Sequence, residues 1–230
     1  MENPWIQIPE QPPFVLSCDR AIIDAFNSQK YGTPFEIILD EIPSPYIGDP
    51  ESPVVFLNLN PGYSPEESRN PKISLFREVA RANMLHQFVD YPFYVLDPSL
   101  KGTPSGYEWF SQKFGPLLRA ARTKGMNPVD VSKKIFLVEY FPYKSQQCAS
   151  KWKGDILLSQ KYAVSLVEKA INRQATVVIM RSEKPWLNAV PSLENYQNRY
   201  TLHNPQNVTI SENNLGWKGF QSVIESLTHK

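Results

Sequence analysis

Val54-Val55-Phe56-Leu57-Asn58-Leu59-Asn60-Pro61-Gly62 is an apolar run that ends in a polar, turn-forming segment. A strand exposed on one face alternates apolar with polar residues, whereas a run apolar at every position reads as a strand buried on both faces, the habit of parallel sheets. Two similar runs follow, Ile135-Phe136-Leu137-Val138 and Thr176-Val177-Val178-Ile179-Met180, and Arg199-Tyr200-Thr201-Leu202 reads as a short last strand delivering His203 to a loop. Helix-like segments separate them at residues 72 to 88, 105 to 123 and 155 to 173, the last with Ile156, Leu157, Ala163, Val164, Leu166, Val167 and Ala170 on one broad side. A first helix is expected from Asp19 to Gln29, with Ile22, Ile23 and Phe26 as its apolar stripe. A terminal helix is expected from Gly216 to Thr228, carrying Trp217, Phe220, Val223, Ile224 and Leu227. Strands alternating with helices predict an α/β fold of three layers, α/β/α, around a central, mostly parallel, four-stranded sheet.

The 230 residues, 41% of them apolar, suit one domain over 1–230. The first 50 residues read as a proline-rich extension whose helix packs on the core. Twenty-one prolines cluster at 4 to 13, 43 to 53, 61 to 71 and 92 to 104, between rather than inside the periodic segments, which predicts long, stiff loops. No repeat, heptad array or low-complexity tract is present. No stretch approaches the roughly 18 apolar residues of a membrane span, and Met1-Glu2-Asn3-Pro4-Trp5 lacks a secretion signal, so a cytoplasmic, monomeric protein with no membrane partner is expected.

Two cysteines, Cys18 and Cys148, supply neither a disulfide framework nor a cysteine metal site, and both read as reduced thiols. A formal charge of +1 lacks the global basic signature of a protein held on DNA by phosphate contacts, so any nucleic-acid surface must be local. Lys133-Lys134, Lys144, Lys151 with Lys153, and Lys184 with Trp186 are the candidate patches; solvated surface lysines are the alternative. His86 and His229 read as helix-surface residues.

In open α/β sheets the ligand crevice lies beyond the carboxyl ends of the strands. Three such ends are rich in polar groups: 58 to 64, 139 to 145 and 203 to 207. The first, Asn58-Leu59-Asn60-Pro61-Gly62 after a buried strand, resembles the first signature of the uracil-DNA glycosylase superfamily, closest to the Gly-Met-Asn-Pro-Gly form of the single-strand-selective monofunctional type. The last, His203-Asn204-Pro205-Gln206-Asn207 followed by Gly216-Trp217, is similar to the second signature, a His-Pro-Ser loop with downstream Asn-Pro and Gly-Trp. Phe136-Leu137-Val138-Glu139-Tyr140-Phe141-Pro142 resembles the strand whose polar residue reads the edge of a flipped base. The resemblance spans roughly residues 54 to 228 in the right order. It departs at Asn204-Pro205, where the family has Pro-Ser, and at Glu139, where the family has an amide.

The resemblance implies a DNA glycosylase-like hydrolase that flips a damaged or modified base and cleaves its N-glycosidic bond without metal or cofactor. Asn60 falls on the water-positioning residue and His203 on the catalytic histidine. His203 would donate a hydrogen bond to the base oxygen where charge accumulates. Asn58, Pro61, Gly62, Tyr63, Glu139, Tyr140, Asn204 and Asn207 complete the expected substrate-binding set, and single-stranded or damaged duplex DNA is the expected partner. An ionised Glu139 only accepts hydrogen bonds, so it would read uracil poorly and suit an edge with two donors, guanine-like or protonated cytosine-like, unless the carboxyl is itself protonated.

Simpler readings stand beside these. Asn60 before Pro-Gly is also an ordinary turn residue, His203 an ordinary loop histidine, and Tyr63 a loop anchor as readily as a wall for the base. Glu139 could point to a salt bridge and leave Tyr140 to line the site. Arg181-Ser182-Glu183-Lys184-Pro185-Trp186 could begin a helix that supports the crevice, touches a phosphate backbone or has no role. With no phosphate loop, nucleophile elbow, metal-binding histidine pair or acidic triad, the other class that remains is a non-catalytic protein of the same fold that binds a free nucleotide, a modified base or a protein partner.

Overall fold

The structure is a computed structural model that describes residues 1–88, 90–147 and 157–229. Cys148, Lys151, Lys153 and Ile156 therefore lie outside the described residues. The four expected runs form strands β2 (Val54–Asn58), β3 (Ile135–Glu139), β4 (Thr176–Ile179) and β5 (Arg199–Thr201), all mutually parallel. A fifth strand, β1 (Tyr46–Gly48), corrects the expected count of four and runs antiparallel along β3, giving the order β1-β3-β2-β4-β5. Its last residue explains how so short a strand sits so close. Gly48 has φ +102°, and a Cβ there would collide with the Ile135 carbonyl oxygen, so only glycine fits.

Seven α-helices accompany the sheet among the described residues. They are α1 (Ser17–Lys30), α2 (Ile73–Met84), α3 (Trp109–Thr123), α4 (Pro128–Ser132), α5 (Leu158–Asn172), α6 (Glu183–Ala189) and α7 (Glu212–Thr228). The two sheet faces follow from side-chain alternation. Phe56 meets Phe114 of α3 edge-on at 4.9 Å, and α3 packs on α7, so these two helices cover one face. Phe136, one position out of phase with Phe56 in the β2–β3 register, lies against Tyr46, which in turn meets Tyr162 of α5; α5 with α1 covers the other face. Every residue of β2, β3 and β4 is buried, as both covered faces require.

The N-terminal 50 residues contribute more than a helix. Trp5 is fully buried against Tyr143, and β1 joins the sheet. Buried Asp19 at the start of α1 accepts from the Tyr143 hydroxyl and the Ser159 amide, which ties α1 to the start of α5. Cys18 beside it is exposed and free. At the other end, Gly216 breaks the helical path of α7, and Trp217, expected on its apolar stripe, is 68% exposed. No helix among the described residues is long and apolar enough to cross a membrane.

Candidate active site

Two features of the sheet create a cavity at the carboxyl ends of its central strands. The chain steps from β2 to β3 on one side and returns past β2 to β4 on the other, and ligand crevices open at such reversals. The pairing of β2 with β3 also continues beyond the strands. Asn58 O accepts from Tyr140 N, Leu59 O from Phe141 N, and Gly62 bridges Ser145. The loops after both strands thus run side by side and wall a cavity of about 330 Å³. Phe76, Tyr94, Trp109 and Phe110 close it on the α2–α3 side, and Arg181 after β4 stands at another wall.

Asn58 and Glu139 are register partners on β2 and β3, so both side chains leave the sheet on the Phe56 face, toward α3. Asn58 Nδ2 donates to Glu139 Oε1 at 3.0 Å, and the two residues are 4% and 3% exposed. Burial pushes the Glu139 carboxyl up to about 8, against the opposing pull of the Asn58 hydrogen bond and the Arg181 charge. The carboxyl is therefore largely neutral at pH 7, the protonated condition left open by its chemistry alone. Among the described residues it makes no salt bridge; its partner is an amide.

Asn60 is presented by its sequence context, because a residue before proline is driven out of the helical region and into extended backbone. Its Nδ2 donates to Ser145 Oγ at 3.1 Å and to Pro61 O at 3.2 Å, and Ser145 Oγ in turn donates to Gln147 O at 2.8 Å. Both amide hydrogens are committed, so the atom Asn60 can offer a ligand or water is the acceptor Oδ1. Pro61, Gly62 and Tyr63 line the cavity beside it, and burial raises the Tyr63 hydroxyl, with Glu41 and Glu67 adding to the effect.

Lys144, expected on the surface, is 3% exposed and lines this cavity. Its ammonium lies 3.5 Å from Glu67 and 5.0 Å from the centre of the Phe76 ring. A buried lysine is tolerated only with such a counter-charge. Trp186, paired with Lys184 as a surface patch in the sequence, is instead buried and donates its Nε1 hydrogen to Asn58 O at 2.8 Å. Tyr140 turns away from the cavity and packs edge-on against that indole at 5.3 Å. His86 is not on a helix surface either. It follows α2 in left-handed backbone, stacks on Tyr46 at 5.1 Å and bonds the Tyr162 hydroxyl through Nε2, and burial lowers its pKa.

The structure separates His203 from the other expected site residues. His203, Asn204 and Asn207 are exposed and lie outside the cavity lining. Their loop is held by its own turn chemistry. His203 N donates to Asn214 O, Asn204 Oδ1 accepts from the amides of Gln206 and Asn207, and Asn207 Oδ1 accepts from Lys113 Nζ at 3.0 Å. Arg181 links the loop to the site, its Nε donating to Pro205 O at 3.0 Å.

Sequence reading thus brings together Asn58, Asn60, Pro61, Gly62, Tyr63 and Glu139, and misses Glu67, Lys144, Ser145 and the aromatic wall. Lys144 and Ser145 lie within the second polar strand end, 139 to 145, and that placement is the signal they carry in the sequence. Among the described residues no three His, Cys, Asp or Glu side chains converge as metal ligands. Comparison with protein-family models, with curated proteins and with solved structures returns no match.

Proposed function

We propose that this protein is a DNA glycosylase-like hydrolase that takes a flipped base into the cavity at the ends of β2 and β3 and cleaves its N-glycosidic bond. The observation that carries the reading is the placement of Asn60. Its amide hydrogens are committed to Ser145 and Pro61, and its free Oδ1 can accept a hydrogen from a water approaching the anomeric carbon. The Asn58–Glu139 pair offers hydrogen bonds to a base edge, and Tyr94, Trp109 and Phe110 offer apolar walls to its faces. Arg181, a cation at the wall, suits the negative charge that grows on a departing base. The order of the three signatures along a mostly parallel sheet supports the same superfamily, with a glycosylase-like fold and a role in DNA repair.

The position of His203 favours a second reading, a protein of this fold that binds a nucleotide or modified base without cleaving it. Base release from labelled oligonucleotides carrying uracil, hypoxanthine, xanthine and modified cytosines separates the two. Glycosylase activity predicts release that falls about 100-fold or more in Asn60→Ala, the cost of removing one transition-state contact, and changes little in His203→Ala. Binding of a base with no release from any substrate would leave the second reading. Lys144 bears on the type of glycosylase: its side-chain nitrogen is engaged by Glu67 at 3.5 Å rather than free to attack, so borohydride should trap no covalent DNA adduct.

A further inference from the structure

The Asn58–Glu139 pair leaves two atoms without a hydrogen-bond partner, Asn58 Oδ1 and Glu139 Oε2, both fully buried. Both side chains line the cavity, whereas Trp5, Ser52, Arg173 and Arg199, which also hold unpartnered atoms, do not. Buried oxygens without partners are uncommon, and two of them on side chains that line one cavity point to a ligand that completes them. Because the pair sits on register partners of adjacent central strands, it is held by the sheet rather than by a mobile loop.

We propose that this pair selects a base edge with two adjacent N–H donors, the ring N–H and amino group of a guanine-type base. The inference shares with the proposed function only the premise that the ligand is a base; it does not require cleavage. Asn58 Nδ2 is engaged with Glu139 Oε1, so what Asn58 presents is an acceptor. The amino group of the base donates to one unpartnered oxygen and the ring N–H to the other, and the carboxyl group gives up its proton to solvent as the base arrives. Donation to an ionised carboxylate is stronger than donation to a neutral group, and Arg181, across the cavity wall, favours the ionised form. Inosine has the same rings and ring N–H but lacks the amino group, so it leaves one of the two buried oxygens unmet. Uracil offers a single N–H on that edge, flanked by carbonyl oxygens. A cavity of about 330 Å³ lies in the range of small-ligand sites.

The test is equilibrium binding of guanosine, inosine and uridine monophosphates to the full-length protein, followed by the fluorescence of Trp109 at the cavity wall, with Phe at the other tryptophans as needed to isolate it. The expected result is guanosine monophosphate bound about 10-fold or more tightly than the other two, since each lacks one of the paired donors. Glu139→Gln places an N–H against the ring N–H of guanine and should abolish that preference. Equal or tighter binding of the inosine or uridine nucleotide by the wild type overturns the proposal, as does no binding of any of the three at millimolar concentration. The wild-type comparison decides the matter even if the variant does not fold. A guanine preference without base release from oligonucleotides would remove the glycosylase reading and leave this one standing. Release of uracil without a guanine preference would do the reverse.

Discussion

The ends of β2 and β3 and the loop after β5 carry similar polar residues in opposite states. Asn58, Asn60, Glu139 and Lys144 are buried, and between them they retain unmet hydrogen-bonding atoms and a buried charge pair. His203, Asn204 and Asn207 are exposed, and the two asparagines spend their side chains on neighbouring backbone and on Lys113. A fold bears the expense of buried, incompletely bonded polar groups only where something else compensates, whereas exposed asparagines in turns stabilise the turn themselves. The contrast assigns the site to the first region and scaffolding to the second.

The comparison is broken or sharpened most strongly at Lys144. Lys144→Met leaves the Glu67 carboxylate buried without its counter-charge and should cost about 3–5 kcal/mol in denaturant unfolding, while Lys144→Met combined with Glu67→Leu should recover most of the loss. A loss below 1 kcal/mol in the single variant would mean that the pair is solvated.

Glu139 gives the next effect. Its carboxyl titrates near 8 in the folded protein against an ordinary 4.5 in the unfolded chain, so between these values the folded state holds the extra proton. Stability should therefore fall as pH rises through that window, by on the order of 3–4 kcal/mol between pH 5 and pH 8, and Glu139→Gln should flatten the slope. Unfolding midpoints at pH 5 and pH 8 read this directly; a wild type as stable at pH 8 as at pH 5 would contradict it.

Smaller effects belong to the exposed loop and to the α7 turn that faces it. Gly216 adopts φ 75° and ψ 155°, a region essentially reserved for glycine, so Gly216→Ala should cost about 1–3 kcal/mol. The added Cβ would sit 3.6 Å from His203 Cε1, an ordinary contact, so the loss is backbone strain and not a clash. Asn204→Ala removes the acceptor for two loop amides and should cost about 1 kcal/mol or less, with ligand binding unchanged. Loss of binding in Asn204→Ala would move the loop into the site.

What was legible in the sequence was whatever is local. The runs at 54, 135 and 176 carry their burial in their own composition and became β2, β3 and β4. β1 was not legible, because three residues between Pro45 and Asp49-Pro50 hold no periodicity, and the strand exists only through its pairing with β3. The site divides in the same way. Asn58 and Glu139 each stood out at a strand end, but their hydrogen bond spans 81 positions and needed the sheet register to appear. Lys144 reads as a surface residue because lysines usually are exposed, and its burial becomes tolerable through Glu67, 77 positions away. His203 stood out for its motif, and the motif does not reveal that the loop satisfies itself.

The two outermost strands have one further consequence. β1 and β5 are each three residues long, whereas the strands between them run four or five. An edge strand is a template on which another chain can lay a strand of its own, and its danger grows with the length of unpaired backbone it displays. A sheet this apolar at its centre is thus bordered by edges too short to recruit neighbours, which guards the folded chain against joining others edge to edge.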